Sequence, residues 1–240
     1  MTRGALFDLD GTLADTSGDL VAAANVTLAG GGLSGRLDPA SDAGLSGKGG
    51  RAMLRAGLAR SGVPAAEVEP WVEAALPRFL TEYEAAIAVH SHLFEGVEAA
   101  LEALSAAGWR LAVCTNKPEG LARLLLAELG VLDRFAALVG ADTLPVRKPD
   151  PRPVWAAAER AGAARDRSVM VGDTVTDREA ARAAGLPCIL MDMGVSADAV
   201  AELEAEVVLA RYVDLPLPQG RASRPTIPPA TPLDPPPGAR

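Results

Sequence analysis

Apolar and polar positions alternate along this 240-residue chain in two different ways. From residue 96 onward, short apolar runs of strand length alternate with helical stripes, and one further apolar run lies at 4–7. Such alternation predicts an α/β fold with a parallel sheet and helices on both faces. The predicted strands are 4–7, 109–114, 135–139, 168–171, 187–191 and 207–209, and the predicted helices after residue 90 are 96–107, 120–129, 153–161, 178–184 and 197–203.

The segment 17–89 follows a different pattern, because it has helical periodicity without a convincing strand. It is predicted to be an all-helical insert in a core made of 1–16 and 90–214. Pro77 should kink or split its last helix, since proline cannot donate a backbone hydrogen bond. The predicted helices of the insert are 18–29, 53–60 and 65–89, and the glycine-, serine- and aspartate-rich stretch 38–50 is predicted to be a loop.

The final stretch, 215–240, is crowded with prolines and has no apolar periodicity. It is expected to be extended or disordered and to lie outside the fold. Cys114 and Cys188 each lie in an apolar run, which predicts buried, reduced thiols.

Composition narrows the classes of function. The formal net charge of -8 argues against non-specific binding to nucleic acid or to an anionic membrane. The chain has no signal-peptide pattern at its start and no apolar run near the roughly 20 residues of a membrane span. We therefore expect a cytoplasmic protein.

The first strand ends in two carboxylates, Asp8 and Asp10. Residues i and i+2 of an extended backbone point the same way, so both side chains should face one spot. Two like charges there are unfavourable unless a cation or a shared proton relieves them. Gly11 allows a sharp turn that brings backbone N–H groups near the same spot. This arrangement predicts a bound metal, a bound phosphate, or both.

Other polar residues follow later strands directly. Thr115 and Asn116 come after the strand 109–114, and Asp173 comes just after 168–171. Ligands of open parallel sheets bind outside the carboxyl ends of the strands, so these groups should converge. Three carboxylates without cysteine or a nearby histidine suit Mg²⁺ better than zinc. With Lys148 adding a positive charge, the set suits phosphoryl transfer.

These residues carry a resemblance to a known family. The Asp-x-Asp-Gly-Thr sequence at 8–12, Thr115, Lys148 and Gly172-Asp173-x-x-x-Asp177 resemble, in order, the four motifs of the haloacid dehalogenase superfamily. The resemblance implies a Rossmann-like, doubly wound core with 17–89 as a cap. A finer resemblance, to bacterial phosphoglycolate phosphatases, is carried by 7–15, 46–54, 92–97 and 113–118.

The resemblance also implies roles. Asp8 would be the nucleophile that forms an aspartyl-phosphate, and Asp10 would be the general acid and then the general base. Asp8, the backbone carbonyl of Asp10, and Asp173 would hold Mg²⁺. Asp177 would reach the metal through water or would pair with Lys148. The phosphate would be bound by Gly11, Thr115, Asn116 and Lys148.

Two basic residues of the insert, Lys48 and Arg51, are candidates for binding a small anionic substrate. The alternative is that they are ordinary charges at helix ends. Lys117 is either a second anion contact or a residue of the first helical turn after its strand, and both interpretations stay open.

The sequence thus predicts a Mg²⁺-dependent phosphomonoesterase, with 2-phosphoglycolate, hydrolysed to glycolate and phosphate, as the expected substrate. Other capped enzymes of the superfamily remain alternatives: a sugar-phosphate phosphatase, a pyrophosphatase or a β-phosphoglucomutase-like enzyme. A non-catalytic phosphate-binding protein on the same fold is the alternative from another class. No nucleic-acid or membrane partner is expected, and a monomer and a dimer are both compatible with the sequence.

Overall fold

The computed structural model describes residues 2–193, 200, 203 and 205–215. Six strands form one sheet in the order β5-β4-β1-β6-β7-β8, and all neighbouring strands are parallel. The other two strands pair in an antiparallel ribbon. The strands are β1 (Gly4–Phe7), β2 (Ala14–Asp15), β3 (His92–Leu93), β4 (Arg110–Cys114), β5 (Ala137–Val139), β6 (Ser168–Gly172), β7 (Cys188–Met191) and β8 (Val207–Leu209).

The helices cover both faces of the sheet, as the alternation along β1 requires. Ala5 and Phe7 belong to the apolar core on one face, whereas Leu6 belongs to the core on the other. The predicted α/β fold with a doubly wound parallel sheet is therefore confirmed. The helices are α1 (Ser17–Gly30), α2 (Pro39–Asp42), α3 (Gly50–Arg60), α4 (Ala65–Ala85), α5 (Val97–Ala106), α6 (Glu119–Glu128), α7 (Pro151–Arg160) and α8 (Val175–Ala184).

Strand β1 lies in the middle of the sheet, between β4 and β6. The chain leaves β1, adds β4 and β5 on one side, and then crosses to β6 on the other side. The crevice at the carboxyl end of β1 is thus the point where the strand order reverses, which is where ligands bind in open α/β sheets.

One prediction for residues 17–89 is wrong, and a second is wrong in part. The stretch 38–50 is not a loop: it contains α2 and a 3₁₀ helix, Ala43–Lys48, because the Asp38 carboxylate accepts hydrogen bonds from the backbone N–H groups of Ala40 and Ser41. Pro77 does not split α4, which is continuous and ends at Ala85. The buried face of α4 packs on α1 and α3 and stabilises the helix across the proline.

The predicted helix at 197–203 lies outside the described residues except for positions 200 and 203, as does the predicted tail after residue 215. Leu215, predicted as the first residue of that tail, is instead buried in the core. In the part of the chain that the structure describes, no helix is both long enough and apolar enough to cross a membrane.

The ribbon of β2 and β3 was not predicted, since strands of two residues leave no pattern. It pairs Ala14 with Leu93 and Asp15 with His92, so the two chain segments that connect 17–85 to the sheet lie side by side. Asp19, at the start of α1, is 2% exposed. Its carboxylate accepts hydrogen bonds from the backbone N–H groups of His90 and Ser91 and from the Ser91 hydroxyl, at 2.7–3.0 Å.

We expect Asp19→Ala to lower the free energy of unfolding by roughly 3 kcal/mol, because it leaves the two buried donors of Ser91 without an acceptor and removes the acceptor of the His90 N–H. Urea unfolding followed by circular dichroism would measure the change. The matched control is Glu67→Ala, which removes an exposed acidic side chain from the first turn of α4 and should cost under about 1 kcal/mol. An equal decrease in the free energy of unfolding in the two variants would contradict the inference that the hydrogen bonds of Asp19 to residues 90 and 91 stabilise the fold.

Candidate active site

The two carboxylates after β1 lie in different surroundings. Asp8 is 8% exposed, and its backbone N–H donates to the Val171 carbonyl at 2.8 Å, which extends the β1–β6 pairing by one residue. Gly11 turns the chain with φ +82°, and a Cβ there would overlap the carboxylate of Asp173. Only glycine therefore allows the loop after β1 to approach the loop after β6 this closely.

Asp173 and Asp177 follow β6 at the start of α8. Asp177 Oδ2 accepts hydrogen bonds from the Thr174 hydroxyl at 2.6 Å and from the Thr174 backbone N–H at 3.1 Å. Thr174 and Asp177 form a capping box, so α8 begins at Val175, earlier than predicted. Asp173 Oδ1 accepts from the Thr12 hydroxyl at 2.6 Å, which joins the two loops.

Lys148 is a buried cation between these acids. Its Nζ lies 2.5 Å from Asp177 Oδ1 and 3.1 Å from Asp8 Oδ1, and its side chain is 1% exposed. Burial disfavours the charged amine, but attraction to Asp177 and Asp8 outweighs it and raises the pKa of Lys148. Of the two interpretations of Asp177 left open by the sequence, the structure shows the contact with lysine.

Three carboxylates crowd one point. One oxygen each from Asp8, Asp173 and Asp177 lie within 4.8 Å of one another. Burial, with the neighbouring acids opposed by Lys148, raises the pKa of Asp8 to about 6. Burial, then the charges of Asp177 and Asp8, raises the pKa of Asp173 well above its ordinary value.

The donor set fits a divalent cation. Asp8 Oδ1 is buried, and Lys148 Nζ, 3.1 Å away, is the one group of opposite charge in contact with it among the described residues. Both oxygens of Asp177 are occupied by Lys148 and Thr174, so Asp8 and Asp173 are better placed to bind a cation. All these atoms are carboxylate oxygens, which hard cations prefer.

Thr115 and Asn116 lie where the sequence predicts them, at the end of β4. Thr115 is 4% exposed, and its hydroxyl oxygen accepts from the Lys117 backbone N–H at 3.2 Å. Asn116 Nδ2 donates to the Lys148 carbonyl at 3.0 Å, which ties the loop after β4 to the segment that carries the buried lysine.

Asp10 stands apart from the acidic group of Asp8. Its Oδ1 accepts from Lys117 Nζ at 2.8 Å and from the Thr16 hydroxyl at 2.7 Å. Lys117 Nζ also donates to Tyr83 Oη at 2.9 Å. Burial disfavours the charge on Lys117, but Asp10 and Tyr83 outweigh it and raise the pKa of this lysine.

The insert residues predicted to bind substrate are placed differently from each other. A Cβ on Gly47 would lie 3.2 Å from Thr174 Cγ2 and 3.4 Å from Asp173 Oδ2, so this turn packs on the site. Lys48, next to it, is exposed, and its side chain has no hydrogen bond or ion pair among the described residues. Arg51 instead forms a two-pronged ion pair with Glu73, at 2.7 and 3.0 Å.

Sequence reasoning missed two tyrosines near the site. Tyr83 lies on a helical stripe and Tyr212 in an apolar segment, so both patterns are typical of core residues. Tyr212 comes from the 3₁₀ helix Tyr212–Asp214, is 1% exposed, and donates from its hydroxyl to the Thr12 carbonyl at 2.9 Å. The last described segment thus fixes the loop that follows Asp8.

Comparison with known proteins gives a consistent result. The family model described as haloacid dehalogenase-like hydrolase matches residues 5–191. A phosphoglycolate phosphatase of Agrobacterium fabrum is 42% identical over 214 residues, covering 88% of this chain and 89% of the relative. A phosphoglycolate phosphatase of Rhodospirillum rubrum is 40% identical over 217 residues, covering 90% of each chain.

Solved structures share the architecture. A chain from Lactobacillus delbrueckii subsp. bulgaricus superposes with a TM-score of 0.79 at 25% identity, covering 90% of this chain and 97% of that one. The family match and the relatives confirm the resemblance drawn from the four motifs. The chain therefore belongs to the haloacid dehalogenase-like hydrolase family, and its relatives place it among the phosphatases of that family.

Proposed function

We propose that this protein is a Mg²⁺-dependent phosphomonoesterase that hydrolyses 2-phosphoglycolate to glycolate and phosphate through an aspartyl-phosphate on Asp8. The observation that carries the proposal is the position of Asp8, which is buried at the end of β1 with Lys148 Nζ 3.1 Å from its Oδ1 and with oxygens of Asp173 and Asp177 within 4.8 Å. A carboxylate between a fixed cation and further carboxylates can both help to bind a metal ion and attack a phosphorus atom.

In the first step, a carboxylate oxygen of Asp8 attacks phosphorus and forms the acyl phosphate. The bond from phosphorus to the leaving oxygen breaks, and its electron pair stays on that oxygen. Asp10 donates a proton to the leaving oxygen, so the alcohol departs neutral. Asp10 is suited to this because it lies two residues from Asp8 but outside the three-carboxylate group.

In the second step, Asp10 takes a proton from water as the water oxygen attacks phosphorus. The bond between phosphorus and Asp8 breaks, and Asp8 returns to a carboxylate with release of phosphate. The same residue thus serves as acid and then as base, which returns the enzyme to its starting state.

Positive charge comes from two sources. Lys148 keeps its charge because its pKa is raised, and its ammonium group would hold a phosphoryl oxygen beside Asp8. Asp8, Asp173 and the Asp10 backbone carbonyl would hold Mg²⁺, which when bound stabilises the negative charge on the phosphoryl group. The Thr115 hydroxyl and the backbone N–H of Gly11 would bind the remaining phosphoryl oxygens. Asn116 would hold Lys148 in place by donating a hydrogen bond to the backbone carbonyl of Lys148.

The substrate assignment rests on the named relatives and on the insert. We take residues 17–89 as a cap on a core of 1–16 and 90–214. The turn at Gly47 packs against Asp173 and Thr174, so this part of the insert borders the carboxylates of the site. Lys48 beside it carries an uncompensated charge that would suit the carboxylate of 2-phosphoglycolate. A cytoplasmic location, with a monomer or a dimer, completes the proposal.

Asp8→Asn should lower kcat for p-nitrophenyl phosphate by about 10³-fold or more, because a carboxamide is a poor nucleophile. Steady-state assays with Mg²⁺, repeated in EDTA, measure both the loss and the metal requirement. The matched control is Glu73→Gln, an exposed acid-to-amide change on α4. Full activity in Asp8→Asn, or unchanged wild-type activity in EDTA, would contradict the mechanism.

In the metal-free protein, the charged form of Asp8 should lower the free energy of unfolding as pH rises. Its pKa is about 6 in the folded chain and 3.8 unfolded, so between these values the folded state binds more protons and stability falls with increasing pH. In EDTA, Asp8→Asn should therefore be about 3 kcal/mol more stable than wild type at pH 7 and within about 1 kcal/mol of it near pH 4. Urea unfolding at both pH values measures this. A variant less stable than wild type at pH 7 would refute the inference that the Asp8 charge is unfavourable there.

For substrate choice, 2-phosphoglycolate should rank first by kcat/KM in a panel of small phosphate esters. Lys48→Met should raise KM for 2-phosphoglycolate about tenfold, a loss of about 1.4 kcal/mol, and leave KM for a simple alkyl phosphate unchanged. Arg51→Met is the matched comparison, since its guanidinium is held by Glu73. A higher rank for sugar phosphates or pyrophosphate would reject the substrate assignment and leave the mechanism standing.

A further inference from the structure

A buried polar cluster joins α4 to Asp10. It consists of Tyr83, Lys117, Thr16 and Asp10. Tyr83 is 1% exposed, and the side chains of Lys117 and Asp10 are 4% and 16% exposed. Lys117 Nζ lies 2.9 Å from Tyr83 Oη and 4.4 Å from the centroid of the same ring. One ammonium group thus connects a residue of the helical insert with a carboxylate at the end of β1.

The cluster fixes the orientation of the Asp10 carboxylate. Lys117 and Thr16 both donate to Oδ1, at 2.8 and 2.7 Å. In the described part of the chain, no hydrogen bond involves Oδ2 of Asp10. With Oδ1 held from two directions, Oδ2 is the oxygen left to exchange a proton with a leaving group or with water.

Tyr83 sets the position of Lys117. The ammonium group is buried, so it is stabilised only where it finds acceptors, and Asp10 and the Tyr83 hydroxyl provide them. The Tyr83 ring is in turn stacked on Phe79 of the same helix, with centroids 6.3 Å apart and an interplanar angle of 4°. The position of the hydroxyl that accepts from Lys117 therefore depends on the position of α4.

We propose that Tyr83 and Lys117 are positioning residues that hold Asp10 for proton transfer, so that Asp10 is fully oriented only while α4 keeps Tyr83 in contact with Lys117 as in this structure. The inference rests on the proposed function, because it assigns a reason for the position of the general acid. It differs from a substrate-binding role for Lys117, since the ammonium group is buried and already contacts Asp10 and Tyr83.

The test compares esters whose leaving groups differ in their need for a proton. An alkoxide must be protonated as it departs, whereas p-nitrophenolate is stable as an anion near neutral pH. Tyr83→Phe keeps the ring and its packing but removes the acceptor of Lys117. We expect this variant to lower kcat/KM about tenfold for 2-phosphoglycolate and for propyl phosphate, and less than about twofold for p-nitrophenyl phosphate.

Lys117→Met provides the second variant and should show the same dependence on the leaving group. Its loss of kcat/KM for alkyl esters should be larger than that of Tyr83→Phe. Arg55→Ala is the matched control: it breaks the Arg55–Glu69 ion pair between α3 and α4 and should leave the ratio of alkyl to aryl kcat/KM unchanged. Thermal unfolding of each variant in Mg²⁺ separates loss of fold from loss of positioning.

Equal losses for alkyl and aryl esters in both variants would overturn the proposal, since a purely structural role lowers all rates alike. A rise in KM confined to 2-phosphoglycolate would overturn it as well, because that result assigns Lys117 to the substrate carboxylate. If the wild-type protein hydrolysed none of the esters, the proposed function would be wrong. This result differs from an active wild type with equal losses in the variants, which contradicts only the positioning role.

Discussion

Repulsion among Asp8, Asp173 and Asp177 is the constraint on which the rest of the site depends. Three carboxylate oxygens within 4.8 Å, buried at the end of the central strand, are unfavourable on their own. Lys148 offsets part of this repulsion from within hydrogen-bond distance of Asp177, and the capping box of α8 occupies the other oxygen of that residue. The remaining negative charge is centred on Asp8 and Asp173, so a further positive charge is bound most favourably at those two residues.

This arrangement separates two aspartates that the sequence places only two residues apart. Asp8 faces the acidic group and Lys148, whereas Asp10 faces Thr16 and Lys117. Each carboxylate therefore has its own lysine, supplied by a different loop of the sheet. Because neither lysine is exposed, solvent does not screen these contacts, and each aspartate can have a distinct chemical role.

Most of this site was predictable because strand ends in a parallel sheet are visible in sequence as apolar runs followed by polar residues. Asp8, Thr115 and Asp173 were found in this way, and Lys148 came from the family motif. Tyr83 and Tyr212 were not found, because a tyrosine on an apolar stripe contributes to the core whether or not its hydroxyl has a partner. The helices at 39–48 were missed for a related reason: glycine, serine and aspartate are typical of loops, and only the capping contacts of Asp38 turn that composition into helix.

The hydrogen bond from Tyr212 to the Thr12 carbonyl spans 200 positions of the chain, and it has a consequence for the order of synthesis. Domains fold as their chains emerge from the ribosome, starting at the amino terminus. The loop that carries Asp8 is made first, yet its neighbours β4 and β6, and the tyrosine that fastens it, are made later. A nascent chain that has not yet exposed residue 212 therefore has Asp8 without the contact that secures the following loop, so this part of the site is completed only after the last described segment has been made.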